Sequence, residues 1–352
     1  QTYMYKARQG YREMKEVRGE QAAGTLLAHD LTQIIPGEYK GAKFKKGHVI
    51  SDEDIPVLLS MGKKHIYVLE MNDNDVHENE AAQRIASKAA GKGIILTEPS
   101  EGKIELIAGE DGLLKIDLPR LYSLVAQDEI MFAAIHRNFV VKKGQKLAGT
   151  RIIPLFIAEE LLKKAEDILA DGPIIQIAPL KKMKVGVVTT GSEVYSGLIK
   201  DAFGPILEKK FRELGSNVEK QLFADDDEDM IAGCIRQLVD EGMDIIGITG
   251  GMSVDPDDRT PSGIRKAGGD VVSYGAPVLP GAMFMLSYIG DVPVVGLPGC
   301  VMYSRRTVFD LIVPRLLAGE KVTKDDINVL AHGGLCLGCE ECTFPSCGFG
   351  KA

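Results

Sequence analysis

No run of about 18 apolar residues occurs in the 352-residue sequence, so a membrane-spanning helix is not expected. The first ten residues, Gln1 to Gly10, are polar and lack the apolar stretch of a secretory signal. There is no HExxH, no GxSxG and no P-loop lysine, which removes the commonest metalloprotease, serine-hydrolase and nucleotide-kinase signatures. Positive charge is in deficit: 42 Lys and Arg stand against 50 Asp and Glu, a net charge of −8. Attraction to nucleic acid or to an anionic membrane is therefore not expected. The short basic stretch Lys181, Lys182, Lys184 reads as a solvated approach to a strand. Cysteines are few, six in all, and four of them fall in the last 17 residues. That clustering suits a metal site in a reducing compartment better than a disulfide framework, so a cytoplasmic protein is expected.

With 45% hydrophobic and 26% charged residues, the composition is that of a globular chain too long for one core. The pattern divides it into four parts. Residues 1–79 read as a small α+β module, with a turn at Pro36-Gly37, a helix starting at Ser51 to Asp54 and a strand at His65 to Leu69. Residues 80–175 read as a β-rich module bounded by helical stretches at Ala81 to Ala90 and Ile157 to Ala170. Residues 176–330 alternate strand and helix. Strands are expected at Val185–Thr190, Val218–Phe223, Asp244–Thr249, Val271–Tyr274 and Val292–Leu297. Helices are expected at Asp201–Leu214 and Asp226–Val239, from Thr260, and at Ser304–Leu317. This alternation predicts a mostly parallel sheet covered on both faces, with ligands outside the carboxyl ends of the strands. Residues 331–352 form a Cys-rich tail.

Three loops leave the proposed strands through glycine: Thr190-Gly191-Ser192-Glu193, Gly250-Gly251-Met252-Ser253, and Pro298-Gly299-Cys300. Their amides, with the hydroxyls of Thr190, Ser192 and Ser253, could cradle a phosphate. Taken singly, each is also an ordinary turn needing positive φ. Acids accompany them. A carboxylate beside a bound phosphate repels it unless a cation lies between, and Mg²⁺ is the usual solution. Glu193 and Asp258 fit that role. Asp201 and the run from Asp225 to Asp229 serve equally well as helix caps. In the tail, Cys336, Cys339, Cys342 and Cys347 can wrap one metal centre. The first three have iron–sulfur spacing, but the last interval is longer than usual and no proline follows; zinc stays open.

The ordered motifs TTGSEV from Thr189, DAFGPIL from Asp201, ADDD from Ala224, TGGMS with DDRTP, LPGA from Leu279 and GLPGC from Gly296 resemble the molybdopterin-binding domain. That domain is shared by molybdopterin molybdotransferase, molybdopterin adenylyltransferase and the competence/damage-inducible proteins. The resemblance implies a three-layer α/β/α fold. It also implies glycine loops that hold the pterin phosphate or a nucleotide, acids that bind Mg²⁺, and a homo-oligomer. By motif position it assigns catalytic roles to Glu193, Asp258 and Asp226. It implies a role in molybdenum cofactor biosynthesis, as a transferase that cleaves the adenylylated pterin and inserts molybdate. It equally allows a carrier that delivers the cofactor to a molybdo- or tungstoenzyme, or an ADP-ribose-type nucleotide pyrophosphohydrolase. Two departures from the molybdotransferase stand out: Asp255 where that enzyme has glycine, and Cys300-Val301 where it has Asn-Pro.

Overall fold

The structure is a computed structural model that describes residues 14–35, 39–69, 74–253, 255 and 258–351. The polar start of the chain, the Pro36-Gly37 turn and Asp257 lie outside the described residues. The chain packs as two compact units instead of following the four-part division of the sequence. One comprises 1–107, 117–135 and 146–176; the other comprises 108–116, 136–145 and 177–352.

The first unit opens with a three-stranded antiparallel sheet of Met14–Arg18, His65–Leu69 and Leu26–Leu27, with a hairpin at Leu31–Ile35 and Tyr39–Phe44. The helix expected near Ser51 runs over Asp54–Ser60, and the Asp54 carboxylate accepts from the Ser51 amide at 2.9 Å. Leu27, Phe44, Leu58 and Ile66 close a small core there. Helices Glu78–Ala89 and Glu159–Leu169 pack together farther along, flanked by a four-stranded sheet. Arg84 ties the two helices, donating to Glu159 at 2.7 Å and to Glu166 at 2.8 Å. A helix at Leu118–Val125 was not expected. Asp117 caps it and Pro119 sits in its first turn, the usual signature of a helix start.

The second unit holds a six-stranded sheet. Its strands are β1 Lys184–Thr190, β2 Asn217–Ala224, β3 Ile245–Thr249, β4 Asp270–Tyr274, β5 Met285–Ile289 and β6 Val292–Leu297. The spatial order is β2-β1-β3-β6-β5-β4. The first four in that order are parallel, and β5 and β4 complete the sheet antiparallel. β5 was not expected; its MLSYI run carries no glycine or proline punctuation of its own.

Helices cover both faces: α1 Phe203–Glu213, α2 Glu228–Asp240, α3 Thr260–Lys266 and α4 Val308–Leu317. On one face Val185, Val187, Ile245, Val295 and Leu297 meet Leu207 and Phe211 of α1 and Phe309 and Ile312 of α4. On the other Val188, Ile246, Ile248 and Val294 meet Ile231, Ile235 and Leu238 of α2 and Ile264 of α3. Strands buried on both sides carry continuous apolar runs because each successive side chain enters a different core. Each such fully buried side chain contributes about 1.5–3 kcal/mol.

The final helix is shorter than expected. It begins at Val308, where Thr307 and Asp310 form a capping box, and a separate turn of helix covers Cys300–Tyr303. Asp310 also receives Lys210 at 3.1 Å and Arg306 at 2.8 Å. Segments from the middle of the chain join this unit. Gly112–Ile116 pairs with Val140–Val141, and Phe139 enters the core. The Cys-rich tail belongs to the same body. Phe349 is 3% exposed, and Phe344 stacks within 5.5 Å of Phe139.

Candidate phosphate and pterin site

The register of the sheet decides where the three glycine loops go. Phe223, Thr189, Thr249 and Leu297 lie side by side across β2, β1, β3 and β6. The loops after β1, β3 and β6 therefore leave the sheet at one level, within about 10 Å of one another at the usual strand spacing. The chain passes from β1 to β2 on one side and returns to β3 on the other, so the crevice between β1 and β3 is a topological switch point.

The Gly-Gly loop is built around close backbone approach. Gly250 has φ +89° and Gly251 φ +52°, in the left-handed region. A Cβ on Gly250 would lie 2.3 Å from the Thr190 carbonyl oxygen. A hydroxyl network holds the two loops together. Thr190 Oγ1 lies 3.2 Å from the Thr249 carbonyl and 3.1 Å from Thr260 Oγ1, which donates to the Gly250 carbonyl at 2.9 Å. The buried Thr190 hydroxyl thus braces the loops, and Gly251 and Ser253 are the parts that face outward. Thr260 and Tyr274 were not singled out from the sequence. The Tyr274 hydroxyl donates toward the carbonyls of Met252 and Ser253 at 3.1 and 3.2 Å, pinning the end of the loop. Burial and the nearby Asp258 carboxylate push its phenol pKa up. An aromatic at the end of an otherwise ordinary strand was the only signal for it.

The first loop is tied to the acids after β2. Ser192 donates its amide to Asp226 at 2.9 Å and its hydroxyl to Asp225 at 2.7 Å. The Ser192 hydroxyl, together with the Asp226 amide, holds the Asp225 carboxyl below its ordinary range. One face of Asp226 is therefore spent on positioning Ser192, and helix α2 is capped instead by Asp227, which accepts from Met230 at 2.8 Å. Asp201 is a cap, accepting from the amides of Phe203 and Gly204. Glu193 is exposed, and Asp258 is half-buried with its amide on the Asp255 carbonyl. In the third loop Pro298 is buried, Gly299 is exposed, and a Cβ on Gly299 would meet nothing within 4 Å. Burial raises the Cys300 thiol pKa. A groove of about 740 Å³ along β2 includes Tyr195, Asp201 and Glu208 but none of these glycines.

Residues 186–318 match the family described as a probable molybdopterin binding domain, and residues 16–70 match a domain of unknown function, DUF8806. The 186–318 segment belongs to the molybdopterin-binding domain family. A CinA-like protein of Mycobacterium avium is 35% identical over 77 residues, 22% of this chain and 18% of that protein. The molybdopterin molybdenumtransferase of Synechococcus elongatus is 24% identical over 147 residues, 39% of this chain and 36% of that one. The chain thus spans well under half the length of these curated relatives. The molybdopterin biosynthesis enzyme MoaB of Thermus thermophilus superposes with a TM-score of 0.33 at 20% identity, over 39% of this chain and 98% of that one.

The tail cysteines lie apart from the glycine loops. Cys336 and Cys347 are half-buried, Cys339 and Cys342 exposed, and all are free thiols. Among the described residues, no three His, Cys, Asp or Glu side chains converge closely enough to hold one metal ion. No helix among them is long and apolar enough to cross a membrane.

Proposed function

We propose that the second unit binds the phosphate of molybdopterin, or of its adenylylated form, across the loops after β1, β3 and β6. The observation that carries this reading is the single register row Thr189, Thr249, Leu297, which aligns three glycine loops at the switch point of a molybdopterin-binding segment. The amides of Gly250, Gly251 and Gly299 are suited to phosphate oxygens, with Ser192 and Ser253 flanking; the Gly191 amide instead donates to the Ala224 carbonyl at 3.2 Å and ties the first loop to β2. The donor set fits Mg²⁺, which takes one or two carboxylates and fills its remaining positions with phosphate and water. Asp258 and Glu193 would hold it and the ion would supply charge neutralisation, while Asp226 positions Ser192. The chain's own part is positioning. Tyr274, Thr260 and Asp225 hold the loops rigid, so the anion meets preorganised donors. The reaction we propose is cleavage of the adenylylated pterin with release of AMP, coupled to molybdate insertion.

Calorimetric titration of the chain with molybdopterin, with and without Mg²⁺, tests the site. Binding at micromolar or tighter concentration, weakened at least tenfold in Asp258→Ala and Glu193→Ala, is expected. AMP release from the adenylylated pterin then separates a transferase from a carrier. The likeness to CinA-like proteins favours a second reading, a nucleotide pyrophosphohydrolase. Turnover of ADP-ribose with no pterin binding would establish that one and refute the first.

A further inference from the structure

We infer that Cys336, Cys339, Cys342 and Cys347 are the ligands of one cubane-type iron–sulfur cluster, seated in a built cavity of the second unit. All four thiols line a single cavity of about 690 Å³, and neither of the other two cysteines does. The spacing is Cys-x2-Cys-x2-Cys-x4-Cys. Three cysteines at that spacing can ligate three of the four irons of a cubane, one thiolate per iron, and the fourth cysteine would take the remaining iron.

The segment is anchored like a binding loop. Cys336 donates its amide to the Leu279 carbonyl at 2.8 Å, and Leu279 donates back to Gly334 at 2.8 Å. At the other end Gly350 donates to the Gly333 carbonyl at 2.8 Å, and Phe349 is buried in the core. Gly333, at φ +89°, lies so close to the chain end that a Cβ would sit 2.5 Å from the Lys351 carbonyl oxygen. Cys336 and Cys347, at the two anchored ends, pack against the hydrophobic core, while Cys339 and Cys342 occupy the exposed tip. The fold thus fixes two ligands and leaves two at the mouth, where iron and sulfide enter.

The spread of the four thiols favours a cluster over a single zinc ion. A zinc tetrathiolate needs its sulfurs gathered around one point with Zn–S bonds of about 2.3 Å. Here the four thiols share a cavity, yet no three of them converge on a point. A cubane spreads its four thiolates around a larger body. The cavity also carries counter-charge. Arg305 and Arg306 line it; Arg306 stacks 5.0 Å over the Phe344 ring, held by its ion pair with Asp310. Arg305 donates to the Glu340 carbonyl at 2.6 Å, bracing the tip of the loop. Thiolate-bound clusters are net anionic, and hydrogen bonds to their sulfurs tune them. The arginines follow directly on the Cys300–Tyr303 helix that leaves the third glycine loop. Cluster and glycine-loop site therefore sit at two ends of one short segment.

The test is anaerobic reconstitution of the full chain with ferric iron, a thiol reductant that supplies the electrons for the ferrous sites, and sulfide. About four iron and four acid-labile sulfide per chain are expected, with Mössbauer parameters of a four-iron cluster. Cys339→Ser and Cys342→Ser, both at exposed positions, should lose the cluster while keeping the parent's thermal melt. Cys234→Ser should load as the parent does. Arg306→Gln should load iron but release it to a chelator about tenfold faster. Failure to take up iron and sulfide would overturn the inference. So would uptake of one zinc per chain in native mass spectrometry that iron and sulfide do not displace. The readout is metal content, so it stands or falls independently of pterin binding.

Discussion

Gly250→Ala puts the reasoning about the glycine loops at risk. The added Cβ would lie 2.3 Å from the Thr190 carbonyl oxygen and 2.7 Å from its hydroxyl, on a residue at φ +89°. The left-handed conformation alone costs a non-glycine residue about 1–2 kcal/mol. Relieving the overlap to ordinary contact opens the two loops by about 1 Å. That movement strains the bond from Thr260 Oγ1 to the Gly250 carbonyl, now 2.9 Å. Losing it adds about 1 kcal/mol. The expected destabilisation is about 2–3 kcal/mol, read as a fall in Tm of about 5–10 °C. A 1 Å displacement of the anion donors should weaken molybdopterin binding at least tenfold, the loss of one hydrogen bond to a charged group at about 1.5–3 kcal/mol. Gly299→Ala is the counterpart. It meets nothing within 4 Å and has φ −53°, so its Tm should match the parent while its binding weakens. A Gly250→Ala protein with parental Tm and parental affinity would refute both the packing argument and the placement of the ligand.

Two further predictions concern a buried charge cluster within the second unit. Arg315 is 7% exposed and donates to Glu320 and Asp326, each at 2.6 Å. Arg315→Ala removes one charged partner from each carboxylate, leaving Glu320 with Lys115 and Asp326 with the Thr323 amide and hydroxyl, and should cost about 1.5–3 kcal/mol in urea unfolding, a loss reduced when Glu320→Gln and Asp326→Asn are added; parental stability would sink this reading. Burial pushes the Asp326 pKa up, but Arg315 and Thr323 outweigh it and hold it down at about 2. A depressed carboxylate contributes stability above its unfolded pKa near 3.9, lost as pH falls toward about 2. After discounting for solvent screening the contribution is about 1 kcal/mol, and Asp326→Asn should flatten stability between those two pH values.

The β1, β3 and β6 strands were legible because burial on both faces demands continuous apolar runs, and the helices between them because caps such as Asp227 and a Pro261 start are local signals. The first two glycine loops were legible because positive φ is a local demand, met at Gly191, Gly250 and Gly251; Gly299, at φ −53°, needs no such freedom. Less was legible in the first unit. The helix at Leu118–Val125 was missed there, as was strand β5 in the second unit, since short apolar runs fit either element until a partner is present. The division into units was equally hidden, because residues 108–116 and 136–145 join the second unit through contacts distant in sequence.

The sequence by itself determined the alternating architecture, the three glycine loops, the acids beside them and the cysteine spacing, all of which are properties of neighbours along the chain. Only the tertiary structure decided which of those residues reach outward. It turned the Thr190 hydroxyl inward onto Thr260, engaged Asp226 with Ser192, and brought Tyr274 under the Gly-Gly loop. It also folded the tail against Phe139 so that four thiols line one cavity with two arginines. The physical reason is register: strand pairing sets which loop meets which, and a hydroxyl or carboxylate takes its partner from whatever the pairing brings within about 3 Å.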